Sequence, residues 1–352
     1  MKEYNVIGVM SGTSLDGLDL IYVSFKFDKK WQFKINSYKT VEYNKKWKVT
    51  LTTLVDLTSE ELEEVDNDYT KYLAKEIRQF IEETKIDKLD VVSSHGHTAL
   101  HKPDEGITYQ IGNKAILSKL LGEVVVCDFR VQDVLLGGQG APLVPIGDKL
   151  LFSAYEFCLN LGGFANISFD KSSHRIAYDI CPVNIVLNHY IKTLGFDYDD
   201  EGQMASTGKI NTNLLKKLNE LTFYEEAHPK SLGLEWVSLN IFPLIDSYKL
   251  EVIDILRTFI EHIAIQIASA INDNKKGSVL VTGGGVYNKF LMKRIKTLSE
   301  IKTIVPSRKI IEFKEALIFA FLGVLKLRNE VNCLKSVTGA VNDHSSGNIF
   351  YP

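Results

Sequence analysis

Apolar residues gather in short runs at the start of the chain, at Tyr4 to Met10, Leu18 to Phe27 and Trp31 to Val41, with turn-forming residues between them. Runs of this length and composition predict a three-stranded meander. From Ser59 to Lys85 the apolar spacing becomes three and four behind a Ser-Glu-Glu start, which predicts a helix. Leu89 to Ser93 then reads as a buried strand, Asn113 to Leu121 as a short helix, and Val124 to Asp128 as another buried strand. The second half repeats this order. Strands are expected at Glu156 to Leu161, Phe164 to Phe169 and Arg175 to Ile180, followed by helices, among them a long amphipathic one from Asp246 to Asp273. A strand at Val279 to Thr282, a helix at Asn288 to Leu298 and a short strand at Lys302 to Val305 complete it.

Two copies of a β-β-β-α-β-α-β unit, each opening with a hairpin, predict an α/β fold of duplicated domains facing one another. Gly137-Gly138-Gln139-Gly140-Ala141-Pro142 interrupts every period and is the expected hinge. The expected domains are therefore 1–135 and 136–352, with the last residues free to pack back on the first.

Length agrees with this plan, since 352 residues exceed what one hydrophobic core usually serves. A content of 45% hydrophobic and 24% charged residues suits a globular chain. The net charge of -3 argues against nucleic acid and anionic membrane as partners and leaves small molecules. No run reaches a bilayer-spanning length, and a cytoplasmic protein is expected. Cys127, Cys158, Cys181 and Cys333 form no CxxC pair, which argues against a disulfide framework and a thiolate metal site.

Three glycine turns carry the candidate chemistry. The first, Gly8 to Asp19, offers Gly12 and Gly17 for positive φ and close backbone approach, hydroxyls on Ser11, Thr13 and Ser14, and carboxylates suited to magnesium. Alone it reads better as an ordinary hairpin turn. The second, Asn160-Leu161-Gly162-Gly163-Phe164, occupies the same place in the second half, and two such turns could hold the phosphates of a nucleotide. In the third, Gly283-Gly284-Gly285 follows a buried strand and precedes Asn288, a candidate helix cap; glycine there lets a flat ligand lie on the backbone.

Polar residues at other strand ends complete the set. Ser93-Ser94-His95-Gly96-His97-Thr98 follows a strand, and His95 is the best placed to hydrogen-bond a sugar; zinc held by His95, His97 and His101 is the weaker reading. Asp128 and Arg130 face either a ligand or each other. Asp179 ends a strand before Pro182, where it serves either as a base or as a helix cap.

Taken together these segments resemble the 1,6-anhydro-N-acetylmuramic acid kinase family, from Ile7 to Gly339. The most specific pieces are MSGTSLDGLD, SHGHT, YQIG, DFR with GGQGAPLVP, NLGGFANIS, PKSLGLEW, the Gly283 triplet, EALIFAFL and SVTGA. The resemblance implies duplicated actin-like ATPase (ribonuclease H-like) domains flanking a central cleft. It implies an ATP- and magnesium-dependent kinase, a homodimer acting in cell-wall recycling. Water would open the anhydro ring while O6 takes the γ-phosphate. Asp179 would be the base, and Gly12, Thr13, Ser14, Leu15, Asp16, Gly17, Leu18, Asp19, Gly162, Gly163, Gly283, Gly284, Gly285 and Asn288 would hold the nucleotide. His95, Asp128, Arg130, Gln139 and Asn184 would hold the sugar, and no magnesium ligand is assigned. Ile180, Cys181 and Val183 stand where the family keeps Thr, Gly and Gly; His97, Asn113 and Asn188 stand where it keeps Gln, Asp and Asp. Those changes predict a reshaped pocket, with a kinase for another sugar or a non-catalytic ATP-binding regulator as alternatives.

Overall fold

The computed structural model describes residues 2–12, 15–272 and 277–352. Its first elements are β1 (Glu3–Ser11), β2 (Gly17–Asp28), β3 (Lys30–Glu42), α1 (Lys45–Thr52), α2 (Ser59–Thr84), β4 (Val91–Ser94), β5 (His97–Lys102) and β6 (Ile107–Ile111). There follow α3 (Ile116–Leu121), β7 (Val125–Cys127), α4 (Val131–Leu135), α5 (Val144–Leu151), β8 (Phe157–Leu161), β9 (Phe164–Lys171), β10 (His174–Pro182) and α6 (Asn184–Lys192). Next are α7 (Gln203–Thr207), α8 (Thr212–Asn219), α9 (Leu234–Asn240), α10 (Phe242–Ser247), α11 (Val252–Asn272), β11 (Ser278–Thr282) and α12 (Lys289–Leu298). The last are β12 (Lys302–Ile304), α13 (Arg308–Leu327), α14 (Lys335–Thr338) and β13 (Asn348–Phe350).

Two compact units result: residues 1–151 with 313–352, and residues 152–312. The first boundary lies beyond the expected 135/136. Gly137 to Pro142 belongs to unit 1, where the Asp133 carboxylate takes the Gly140 N–H at 2.7 Å, so this segment is a pinned loop and not the hinge. The second boundary falls at Phe313, where α13 leaves helical geometry (φ -112°, ψ 15°).

The sheets bear out the duplication. In unit 1 the order is β13-β7-β4-β1-β2-β3, and in unit 2 it is β10-β9-β8-β11-β12. In each, an antiparallel meander continues into two parallel strands, β4 and β7 beside β1, or β11 and β12 beside β8. This is the duplicated α/β plan that the resemblance implies.

In unit 1, α2 starts with a capping box in which Thr58 Oγ1 accepts from Glu61 N and Glu61 Oε2 from Thr58 N. Its buried stripe of Leu62, Tyr69, Leu73, Ile77 and Phe80 covers one sheet face. The opposite face takes α13, whose Phe321 packs on Phe25 and Trp31 at 5.3 and 5.0 Å. Gly8 allows that approach, because a Cβ there would stand 2.3 Å from Ala316 O.

Unit 2 buries α11 against its sheet and fastens α12 to it through Glu261. Burial alone would raise the Glu261 carboxyl, but Arg294 at 2.8 Å through two nitrogens and Arg257 at 3.0 Å outweigh it and hold it below the usual range. A lowered carboxyl contributes stability above its unfolded pKa, which is lost as pH falls through the lowered one. Glu261→Ala is expected to cost about 2 kcal/mol, a fall in Tm of roughly 4–8 °C, and the difference from wild type should shrink in acid thermal melts.

Candidate active site

In unit 1 the first glycine turn joins β1 to β2; Thr13 and Ser14 lie outside the described residues. Leu15, not Gly17, takes the left-handed conformation, with φ 60°, and its N–H donates to Gly12 O at 3.3 Å. Gly17 is required for a different reason, since a Cβ there would stand 2.6 Å from Val41 O on β3. Leu18 is buried in the core and supports the turn from within. Asp16 is exposed, and Asp19 accepts from Thr40 Oγ1 at 2.5 Å.

The ends of β4 and β7 bring His95 and Arg130 together. Arg130 Nε donates to His95 Nε2 at 2.9 Å, and Arg130 Nη1 donates to Gly140 O at 2.7 Å. Because a carbonyl only accepts, the contact of His95 Nδ1 with Gly96 O at 2.9 Å makes Nδ1 the protonated nitrogen. Burial and then the nearby Arg130 charge hold this ring well below the usual histidine range, so it is neutral. Both nitrogens are thus used inside the protein. The ring fastens Arg130 Nε through Nε2 and the Gly96 carbonyl through Nδ1.

Asp128 takes φ 63° and accepts from Asn348 Nδ2 at 2.8 Å, and burial pushes its carboxyl up to about 6. Asp128 and Arg130 therefore turn to separate partners instead of pairing. Gln139 is exposed, its Nε2 donating to Asp104 Oδ1 at 3.2 Å and its N–H to Thr338 O at 2.8 Å. The three histidines do not converge. His97 Nδ1 contacts Ser11 Oγ at 2.7 Å and His101 Nδ1 contacts Thr108 Oγ1 at 3.1 Å, so each ring serves its own local bond.

In unit 2 the second and third glycine turns meet. Val183 N donates to Gly163 O at 2.7 Å and Asn184 N to Gly162 O at 3.3 Å, which seats the β8–β9 turn on the first residues of α6. Gly283 takes φ 86°, and a Cβ there would stand 2.5 Å from Asn160 Oδ1 and 2.7 Å from Leu161 O. Asn160 therefore lies between the two turns, a role that its place in the motif did not reveal. Gly284 faces open space, while a Cβ on Gly285 would meet Leu161 and come within 3.6 Å of Asn184 Nδ2. Asn288 caps α12, its Oδ1 accepting from Leu291 N at 2.9 Å, as its spacing suggested.

Asp179 sits where β10 bulges away from β9, opposite Asn166. Its Oδ2 accepts from Leu232 N at 2.9 Å and its N–H donates to Lys230 O at 3.1 Å. The carboxylate does not cap α6, whose first turn has no side-chain cap. Burial raises its pKa above the usual carboxylate value, the Leu232 N–H opposing. The Lys230 to Leu232 segment belongs to the PKSLGLEW motif, to which the sequence assigned no task. Ile180, Cys181 and Val183 are all buried in the unit 2 core, so their larger side chains point inward and do not line a surface.

A family model described as anhydro-N-acetylmuramic acid kinase matches residues 4–352. The chain is 34% identical over 376 residues to the anhydro-N-acetylmuramic acid kinase of Mannheimia succiniciproducens, covering 99% of each. It is 31% identical over 368 residues to the protein of that name from Coxiella burnetii, covering 100% of this chain and 98% of the other. The Sulfurimonas denitrificans protein of the same name is 31% identical over 372 residues. Among solved structures, component A of the Acidaminococcus fermentans (R)-2-hydroxyglutaryl-CoA dehydratase superposes with a TM-score of 0.46 at 11% identity, covering 90% of this chain and 96% of that one.

Proposed function

The chain belongs to the anhydro-N-acetylmuramic acid kinase family, and from that premise we propose that it transfers the γ-phosphate of ATP to 1,6-anhydro-N-acetylmuramic acid with opening of the anhydro ring. The observation that carries the proposal is Asp179, a raised, half-buried carboxylate fixed by one backbone N–H at the bulge of β10. Asp179 accepts a proton from water as the water oxygen bonds to C1 of the sugar. The C1 bond to the bridging oxygen breaks, and that oxygen, now O6, takes the γ-phosphoryl group while ADP leaves. One water is consumed, and N-acetylmuramic acid 6-phosphate is the product.

The turn at Gly12 offers backbone N–H groups to phosphate; in unit 2 the Gly162 N–H closes its own hairpin on Phe164 O at 3.1 Å, so Gly163 is the donor proposed there, and the Gly283 to Gly285 turn leaves room for the adenosine. Arg130 and Asp128 orient the sugar. Magnesium prefers oxygen donors beside phosphate, and the exposed Asp16 carboxylate next to the first turn fits that preference. When bound, the ion neutralises phosphate charge. Family membership is also the basis for proposing a cytoplasmic homodimer. A different sugar substrate was suggested by Ile180, Cys181 and Val183, whose burial removes that reason.

The test is phosphate transfer from ATP to the anhydro sugar, with the product identified by mass and NMR. Ring-opened 6-phosphate is the expected product; its absence, where a family member run in parallel makes it, would overturn the proposal. His95→Ala should raise KM for the sugar about tenfold or more by releasing Arg130, with a smaller change in kcat, as steady-state kinetics can separate.

A further inference from the structure

Away from the glycine turns, unit 1 buries Asp133, Cys333 and His344 together, at 0%, 1% and 7% exposure. Their ligand-type atoms all lie within 4.8 Å of one another. Cys333 and His344 face each other across a two-residue antiparallel ladder, with Cys333 N donating to His344 O at 3.1 Å and His344 N to Cys333 O at 3.2 Å. Asp133 comes from α4, on the opposite side of the cluster. Its Oδ2 accepts the Gly140 N–H at 2.7 Å, while its Oδ1 receives the Cys333 Sγ at 3.0 Å and the Thr338 Oγ1 at 2.7 Å.

His344 is the member that hydrogen bonding leaves unexplained. Its Nδ1 meets Asn342 O at 3.1 Å, and a carbonyl only accepts, so Nδ1 carries the proton. In the neutral ring Nε2 then presents a lone pair. That nitrogen is buried, has no hydrogen-bond partner, and stands 3.5 Å from Asp133 Oδ1, itself an acceptor. Two acceptors facing each other in a buried place need a shared proton or a cation between them.

We propose that Asp133, Cys333 and His344 form a structural site for one divalent zinc-like cation. The donors are one sulfur, one imidazole nitrogen and one carboxylate oxygen, the set that zinc takes. Tetrahedral bonds of about 2.0–2.3 Å place neighbouring donor atoms about 3.3–3.6 Å apart; the 3.5 Å from His344 Nε2 to Asp133 Oδ1 has that spacing, while Cys333 Sγ, at 3.0 Å in its thiol hydrogen bond to Oδ1, has to move outward by about half an ångström as it gives up its proton. Binding releases the Cys333 thiol proton, and the thiolate and carboxylate together balance a charge of two. The Asn342 carbonyl on Nδ1 is the outer partner that fixes a ligand histidine's tautomer. Thr338 Oγ1 or water takes the fourth position. Such an ion fastens the 333–344 segment to α4, and with it the Gln139 backbone, whose N–H donates to Thr338 O. The absence of a CxxC pair excludes a local chelate only; this cluster draws its donors from positions 133, 333 and 344.

The full chain is purified without chelator, and its metal content is measured by mass spectrometry beside C333S, H344Q and C158A, with circular dichroism confirming that each is folded. About one zinc per chain is expected in wild type and C158A, and less than about one tenth in C333S and H344Q. Cobalt exchanged into wild type should give a thiolate charge-transfer band that C333S lacks. Zinc below about one tenth per chain in wild type after incubation with equimolar zinc and desalting would overturn the proposal, leaving an imidazolium beside Asp133. Zinc retained undiminished in folded C333S and H344Q would overturn it as well.

Discussion

Asp179→Asn is expected to lower kcat for ring opening and phosphorylation by about 10²–10⁴-fold, with ATP affinity unchanged. Asparagine keeps the shape and still accepts from Leu232 N, but it cannot take the proton of water. The pH dependence supplies an independent check. A base acts only when deprotonated, and burial raises Asp179, so activity should fall on an acid limb above the usual carboxylate range. Asp128, pushed up to about 6 by burial, and Glu315, raised by burial against the opposing Arg130 charge, are other carboxylates placed to titrate there. Residual activity of Asp179→Asn that keeps the limb would assign it to Asp128 or Glu315 and remove Asp179 as the base. Loss of activity should not reflect unfolding. A carboxyl raised in the folded state contributes stability below its unfolded pKa and loses it as pH rises through the raised value. Thermal melts at pH 8 should therefore find Asp179→Asn no less stable than wild type.

The repeated strand order was legible because each meander alternates or clusters its apolar residues within strand length, and because glycine turns sit at matching places in the two halves. The hairpin of β5 and β6 was not. Its first strand carries His97 and His101, which read as candidate ligands, and the Lys-Pro-Asp-Glu run at 102–105 hides the pairing. Helix α13 stands out in the sequence only through the motif EALIFAFL. Packed on nearly every side from Ala316 to Leu325, it shows no polar stripe from which a helical period could be read. The hinge was misplaced for a related reason. Gly and Pro punctuate 137–142, but the groups that pin the loop, Asp133 and Thr338, lie outside it, and Thr338 is two hundred residues away in sequence. At the site, strand-end position identified Arg130 and Asp179 as polar groups of interest. It could not show that His95 spends both ring nitrogens on protein partners or that Leu232 fixes Asp179, because both facts depend on contacts between distant segments.

The three glycines of the third turn separate structural need from ligand contact, and their variants should diverge sharply. Gly283→Ala is expected to cost about 2–4 kcal/mol of stability and to weaken ATP binding at least tenfold. Its φ of 86° is strained for any side chain, and the new Cβ would meet Asn160 Oδ1 and the Leu161 carbonyl, forcing the ends of β8 and β11 apart. That displacement reaches Gly162 and Gly163 directly, since Asn160 and Leu161 lead into their turn. Gly284→Ala meets nothing within 4 Å and needs no unusual φ, so its Tm should match wild type. Calorimetric titration with ATP then reads contact alone. Weaker binding by Gly284→Ala at unchanged Tm places the nucleotide over the backbone of residue 284, because no change in the folded chain is available to account for it. Unchanged binding would move the adenosine off this turn, and the losses in Gly283→Ala would then be those of a strand end held in place for its neighbour.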